Sequence, residues 1–183
     1  LTSGYMVTGL PDAFSQIGQG TILGIPNLIL ISLVVVLILA ILVPRLAFFK
    51  KIFLVGTSRS VAFMSGINSN RMLVAGYMIS GVLAGACGVL MASRYAMGSA
   101  SFAVGYETQA IAAAVIGGAV MAGGEGNIWG TVLGVLLVAI VNNSFIQFGG
   151  NAEWQTAISG IMLVFTLYID VMRTRKAKRK GLI

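Results

Sequence analysis

Histidine is absent from the 183-residue sequence, and cysteine occurs once, as Cys87. A single cysteine cannot form an intrachain disulfide, and without histidine the chain has no Cys/His cluster of the kind that binds zinc. The five acidic residues are scattered, so no pair of neighbouring carboxylates is available for acid and base catalysis. We therefore expect no catalytic residue, no metal ligand and no cofactor in this chain, and we expect that it is not an enzyme.

Charged residues of either sign are few, at 9% of the chain against about 25% in an average soluble domain. Apolar residues make up 57% of the chain, and the mean hydropathy is +0.95. This composition is typical of an integral membrane protein. The chain begins at Leu1 and not at methionine, so we expect it to be a piece of a longer protein.

The net charge of +7 comes largely from two basic clusters, one in residues 45–71 and one in residues 173–183. Both clusters adjoin long apolar runs, and the positive-inside rule therefore predicts that both are cytoplasmic. The second cluster also suits contact with anionic lipid. Because the charges flank membrane segments, a nucleic-acid partner is not indicated. The clusters comprise Arg45, Lys50, Lys51, Arg59 and Arg71, and then Arg173, Arg175, Lys176, Lys178, Arg179 and Lys180.

Five segments are apolar enough to be membrane helices, since a helix of roughly 20 apolar residues spans the hydrocarbon core. We predict them at residues 21–43, 72–93, 109–121, 128–148 and 155–172. The third is short and begins close to Glu107, which is typical of a broken or partly re-entrant helix. The predicted fold class is therefore an all-α membrane protein, a polytopic helical bundle.

Small residues recur inside the apolar segments. The stretch 110–144 contains Gly-Gly pairs but neither GxGxxG nor GxxxxGK[ST], so a phosphate-binding loop is excluded. Residues four apart share a helix face, and small ones let two helices approach closely in lipid. The predicted packing residues are Ser80, Gly81, Ala84, Gly85, Gly88, Gly117, Gly118, Gly126, Gly130 and Gly134.

Neutral polar residues are the other feature of the predicted spans. Gln109, Asn142 and Asn143 carry amides that suit an uncharged, hydroxylated solute, so they form a candidate translocation path. Hydrogen bonds between helices are the alternative explanation of the same residues. The sequence alone does not distinguish a translocation path from hydrogen bonds between helices.

The segment "GTSRSVAFMSGINSNR", residues 56–71, predicts a short helix. Thr57 or Ser58 can cap it, and Gly66 can end it in the left-handed conformation. A helix of two turns is only marginally stable in water on its own, so the apolar residues between the cap and Gly66 must contact another surface. They rest on the bilayer or the chain's own bundle, or they enter a groove on a soluble partner.

Several motifs in order resemble the permease subunits of bacterial ribose-type sugar ABC importers. They are SGIN at 65–68, YxxSGxLAGxxG at 77–88, GYExxAIAAxVIGG at 105–118 and GGxGxxxGTxxG at 123–134. The resemblance covers nearly the whole chain and implies the carboxy-terminal portion of one permease domain, which alternates between outward and inward openings in the bacterial inner membrane. Its implied partners are a cytoplasmic ATPase that binds ATP, a second permease subunit and an external sugar-binding protein.

The apolar segments and the positive-inside rule together predict an order of segments, and the resemblance implies an ATPase-coupling loop within it. The segments are an external loop (1–20), a span (21–44), a cytoplasmic coupling loop (45–71), four further spans (72–172) and a basic cytoplasmic tail (173–183). The residues of the ATPase-coupling loop are Ser58, Arg59, Phe63, Met64, Ser65, Gly66, Ile67 and Asn68.

Two stretches depart from the family pattern: "TSRSVAF", and Thr108-Gln109 in place of Leu-Asp. The first bears on pairing with the ATPase, and the second on the identity of the solute or binding protein. Alternatives are a channel or secondary carrier, a non-transporting membrane subunit, or an ABC permease for nucleosides or branched-chain amino acids.

Overall fold

The computed structural model describes residues 6–22, 24–99, 103–147, 157, 160–168 and 171–172. The chain forms two compact units. Unit 1 comprises Leu1–Ile52 and Ala62–Val104, and unit 2 comprises Phe53–Val61 and Gly105–Ile183.

The elements follow one another with short connections. Unit 1 contains β1 (Val7–Thr8), α1 (Asp12–Gln19), β2 (Thr21–Ile22), β3 (Ile25–Pro26), α2 (Asn27–Arg45), α5 (Ser69–Tyr95) and β4 (Met97–Gly98). Unit 2 contains α6 (Tyr106–Ile116) and α7 (Ile128–Gln147). The helices α3 (Ala47–Thr57) and α4 (Arg59–Met64) each have residues in both units. Residues 160–168 are also helical.

Three described helices, α2, α5 and α7, are long and apolar enough to cross a membrane. Many of their large apolar side chains are exposed, as expected for helices whose surroundings are lipid or other membrane helices. The strands are only two residues long and pair as β1 with β4 and β2 with β3. The predicted fold class, an all-α membrane protein, is therefore confirmed.

The first span begins later than predicted. Thr21–Ile22 and Ile25–Pro26 pair as the β2–β3 hairpin, with Gly24 at φ 80° before β3, and α2 begins at Asn27. The prediction of a helix from residue 21 was wrong because a turn glycine and Pro26 precede the apolar run. The helix continues through Pro44 to Arg45.

The second and fourth spans have capped starts. Asn68 caps α5 by accepting a hydrogen bond from Arg71 N at 3.2 Å, so this helix begins before the predicted residue 72. Asn127 caps α7 in the same way through Trp129 N at 3.1 Å, next to the predicted start at residue 128. For the predicted fifth span, residues 160–168 are helical, while most of the rest lies outside the described residues.

The third predicted span is an 11-residue helix, α6, which rises only about 16 Å. It begins at Tyr106 and ends at Ile116, so the predicted bounds 109–121 were wrong. Gly118 N bonds to Val115 O and Ala119 N to Ala114 O, both at 3.0 Å. These two bonds form a Schellman motif with Gly118 at φ 97°, which ends the helix.

The predicted coupling loop, residues 45–71, is mostly helical. α3 occupies 11 residues of it, and α4 supplies the predicted short helix. The predicted external loop, residues 1–20, likewise contains α1. That helix packs on the end of α5, where Ser93 Oγ donates to Phe14 O at 2.6 Å.

Candidate functional site

α6 and α7 form an antiparallel hairpin held by close backbone contacts. A Cβ atom added to Gly117 would lie 2.5 Å from Gly130 O, and one on Gly134 would meet Ala113 O. One helix turn further along, Gln109 contacts Asn142. The contacts step by four residues along α6 and by four or eight along α7, as expected when one face of each helix forms the interface.

The amides of Gln109 and Asn142 meet inside this hairpin. Asn142 Nδ2 donates to Gln109 Oε1 at 3.2 Å. Asn142 is only 7% exposed, and its Oδ1 is buried with no hydrogen-bond partner among the described residues. An unpaired buried acceptor costs free energy unless a donor reaches it. Asn143, the third residue of the candidate path, is exposed and takes no part in this pair.

The amide pair can be tested as an interhelical bond. We expect Asn142→Ala to lower the free energy of unfolding by about 0.6 kcal/mol, the average measured for such bonds in membrane helices, and by about 1.7 kcal/mol at most. Gln109→Ala should then cost little in the Asn142→Ala background, because the shared bond is already lost. A double-mutant cycle of thermal unfolding in detergent measures this coupling, with the exposed Asn143→Ala as the matched control. Additive losses would contradict the bond.

The short helix α4 begins and ends through local hydrogen bonds. Ser58 Oγ accepts from Val61 N at 3.4 Å at its start. At its end Gly66 N bonds to Phe63 O and Ile67 N to Ala62 O, both at 2.9 Å, with Gly66 at φ 72°. This is the same Schellman motif that ends α6. Of the two predicted caps, Thr57 or Ser58, the structure has Ser58, and the predicted left-handed Gly66 is confirmed.

Two large apolar side chains of α4 point away from the described chain. Phe63 is 80% exposed and Met64 is 78% exposed, whereas their neighbour Ala62 is fully buried. Beside them is an open cavity of about 640 Å³. It is lined by Phe63, Gly66, Ile67, Asn68, Ser69 and Asn70. Arg59 is exposed at the start of the same helix and Ser65 at its end.

The predicted packing residues divide into three groups. Gly117, Gly130 and Gly134 lie in the α6–α7 interface. Gly81, Gly85 and Gly88 have no described atom within 4 Å of an added Cβ, and Ser80 and Ala84 are exposed, so this α5 face is uncovered among the described residues. Gly118 is a turn residue and Gly126 precedes α7, so placing these two in a helix interface was wrong.

The long apolar helices define a multi-pass helical membrane protein. Residues 1–167 match the family described as "Branched-chain amino acid transport system / permease component". The chain belongs to this permease family. No solved structure is significantly similar to the chain.

Curated relatives are similar over most of the chain. It is 34% identical over 163 residues to the "Probable ABC transporter permease protein YphD" of Escherichia coli K12, covering 87% of this chain and 49% of the relative. It is 32% identical over 171 residues to the "Ribose import permease protein RbsC" of Bacillus subtilis, covering 92% and 53%. It is 32% identical over 164 residues to the "D-allose transport system permease protein AlsC" of E. coli K12, covering 90% and 50%. The chain spans about half the length of these relatives.

Proposed function

We propose that this chain is part of the membrane-spanning subunit of an ABC importer that translocates a sugar such as ribose or a related monosaccharide. A separate cytoplasmic ATPase hydrolyses ATP and drives alternating access. The observation that carries the proposal is the part-buried amide pair of Gln109 and Asn142 in a chain whose relatives are named as ribose and allose permeases. The unpaired Asn142 Oδ1 is an acceptor for a solute hydroxyl.

The charges of the described membrane helices favour a sugar over an amino acid. In α2, α5, α6 and α7 the charged side chains lie only in the first or last turn. These residues are Arg45, Arg71, Arg94 and Glu107. A zwitterionic amino acid loses hydration in the membrane and needs charged or strongly polar partners there. Neutral amides suit an uncharged polyol, and a nucleoside is the closest alternative solute.

The exposed end of α4 is the proposed docking site of the ATPase. Phe63, Met64 and the adjoining cavity provide an apolar surface and a recess of the kind used when a helix enters a partner's groove. The remaining proposed partners are a second permease subunit, an external sugar-binding protein and membrane lipid. The proposed location is the bacterial inner membrane, with residues 45–71 and 173–183 cytoplasmic because both are basic.

Uptake of labelled sugars tests the proposal. Membrane vesicles that contain the full-length permease with its ATPase and binding protein should accumulate ribose, allose or galactose only when ATP is supplied. Unlabelled monosaccharide should compete, whereas leucine should not and adenosine should compete weakly. Asn142→Leu should lower uptake at least tenfold at equal protein abundance, with Asn143→Leu as the matched control. Equal uptake without ATP would replace the proposal by the carrier or channel alternative.

A further inference from the structure

The end of α3 lies against the loop between α6 and α7 with no side chain between the two backbones. A Cβ atom added to Gly56 would lie 2.5 Å from Gly124 N and 3.3 Å from Gly123 C. One added to Gly123 would lie 3.2 Å from Gly56 O, and one on Gly124 would meet the side chain of Thr57. Only glycine allows this approach on both sides of the contact. We call these residues, Gly56, Thr57, Gly123 and Gly124, the glycine junction.

The loop side of the junction is held in one conformation by its own hydrogen bonds. Gly123 N bonds to Val120 O at 2.9 Å, and Val120 N bonds to Glu125 O at 3.2 Å. Gly123 and Gly124 have φ of 92° and 89°, a region that favours glycine. The α3 side is also anchored, since Val55 is buried and Thr57 Oγ1 donates to Phe53 O at 3.1 Å. Gly56, Thr57 and Gly123 are exposed, so displacement passes through the direct contact itself, which has no glycine side chain that could rotate away between the two backbones.

The junction connects two parts of the proposed transport machinery. On one side, Thr57 is followed directly by Ser58 and the coupling helix α4. On the other side, the loop leads into the α6–α7 hairpin, whose backbones meet at Gly117 and Gly130. Along α6 the Gln109–Asn142 pair lies about 12 Å beyond Gly117. Residues 53–61 accordingly belong to the same compact unit as α6 and α7.

We infer that the glycine junction transmits displacement of the coupling helix to the α6–α7 hairpin and so to the amide pair. Gly56, Gly123 and Gly124 are therefore positioning residues for transport, although none of them touches solute. The inference rests on the proposed function. It assigns a role to three glycines that the helix-packing pattern of the spans leaves unexplained.

Gly56→Ala tests the inference in the assembled transporter. The added methyl group would overlap the Gly124 backbone, so the two segments must separate. We expect ATPase association, membrane abundance and ATP hydrolysis to stay within twofold of wild type, while uptake of labelled ribose per ATP hydrolysed falls at least tenfold. A purely structural role would instead lower abundance, hydrolysis and uptake together. Gly126→Ala, in the α6–α7 loop that Gly56 contacts, is the matched control, because its Cβ would lie at an ordinary 3.5 Å from the Phe53 ring.

A distance measurement tests the junction without altering it. Spin labels on Ser60→Cys and Met121→Cys, both exposed, report on the two sides in a Cys87→Ser background. We expect the distance between the labels to stay constant when ATP is trapped on the ATPase. A shift of several ångströms, or unchanged uptake per ATP in Gly56→Ala, would overturn the inference while leaving the proposed function intact. Lack of ATP-dependent uptake in wild type would overturn the proposed function itself.

Discussion

Replacing both Phe63 and Met64 with serine should abolish ATPase association and sugar uptake while the protein still accumulates normally in the membrane. Both side chains are about four-fifths exposed, so they add little to the stability of the described chain. Burial in a partner's groove is worth roughly 1.5 to 3 kcal/mol for each fully buried side chain. Losing both therefore weakens association by about two to four orders of magnitude. Co-purification of the ATPase, quantified against permease abundance, measures the effect.

Met121→Ser is the control for this double variant. Met121 is also an exposed methionine, 53% accessible, but it lies in the α6–α7 loop and not in α4. It should leave both association and uptake near wild type. If the double variant instead lowers abundance in parallel with uptake, α4 packs on its own bundle and the docking proposal is wrong. Normal ATP-driven uptake by the double variant would also contradict it.

Local signals in the sequence were enough to locate α4. Ser58 and Gly66 act within five residues of the groups they bond, so the start and end of the helix follow from neighbours in the chain. The start of the fourth span was likewise predicted at residue 128, where α7 begins, since its apolar run is long and unbroken. Where the apolar run is preceded by a turn, as at Gly24 before α2, hydropathy alone put the start of the helix too early.

Contacts between distant residues could not be predicted from spacing. Gly118 and Gly130 both belong to glycine-rich stretches, yet one ends α6 in a left-handed turn and the other packs against a neighbouring helix. Nothing local distinguishes these two roles. Gly56 was not predicted to matter, because its partner Gly124 lies far along the chain. The pairing of Asn142 with Gln109 also depends on how α6 and α7 pack. The sequence pattern does not show whether Asn142 or Asn143 faces Gln109.

Gly130→Leu should sharply reduce the yield of folded protein. Even a single added carbon at Gly130 would collide with the carbonyl oxygen of Gly117, and backbone cannot rotate away as a side chain can. A leucine side chain must therefore force α6 and α7 apart, which breaks the contacts at Gly134 and at the Asn142 amide as well. Overpacking a close-packed interface costs about 1 to 3 kcal/mol or more.

Leu133→Ile is the matched control, because Leu133 is in the same helix but 68% exposed. Monodisperse yield in size-exclusion chromatography measures the difference, and Gly130→Ala should lie between the two. Equal yields for Gly130→Leu and Leu133→Ile would mean that the Gly130 face of α7 is turned to lipid and that the hairpin is not held by this contact.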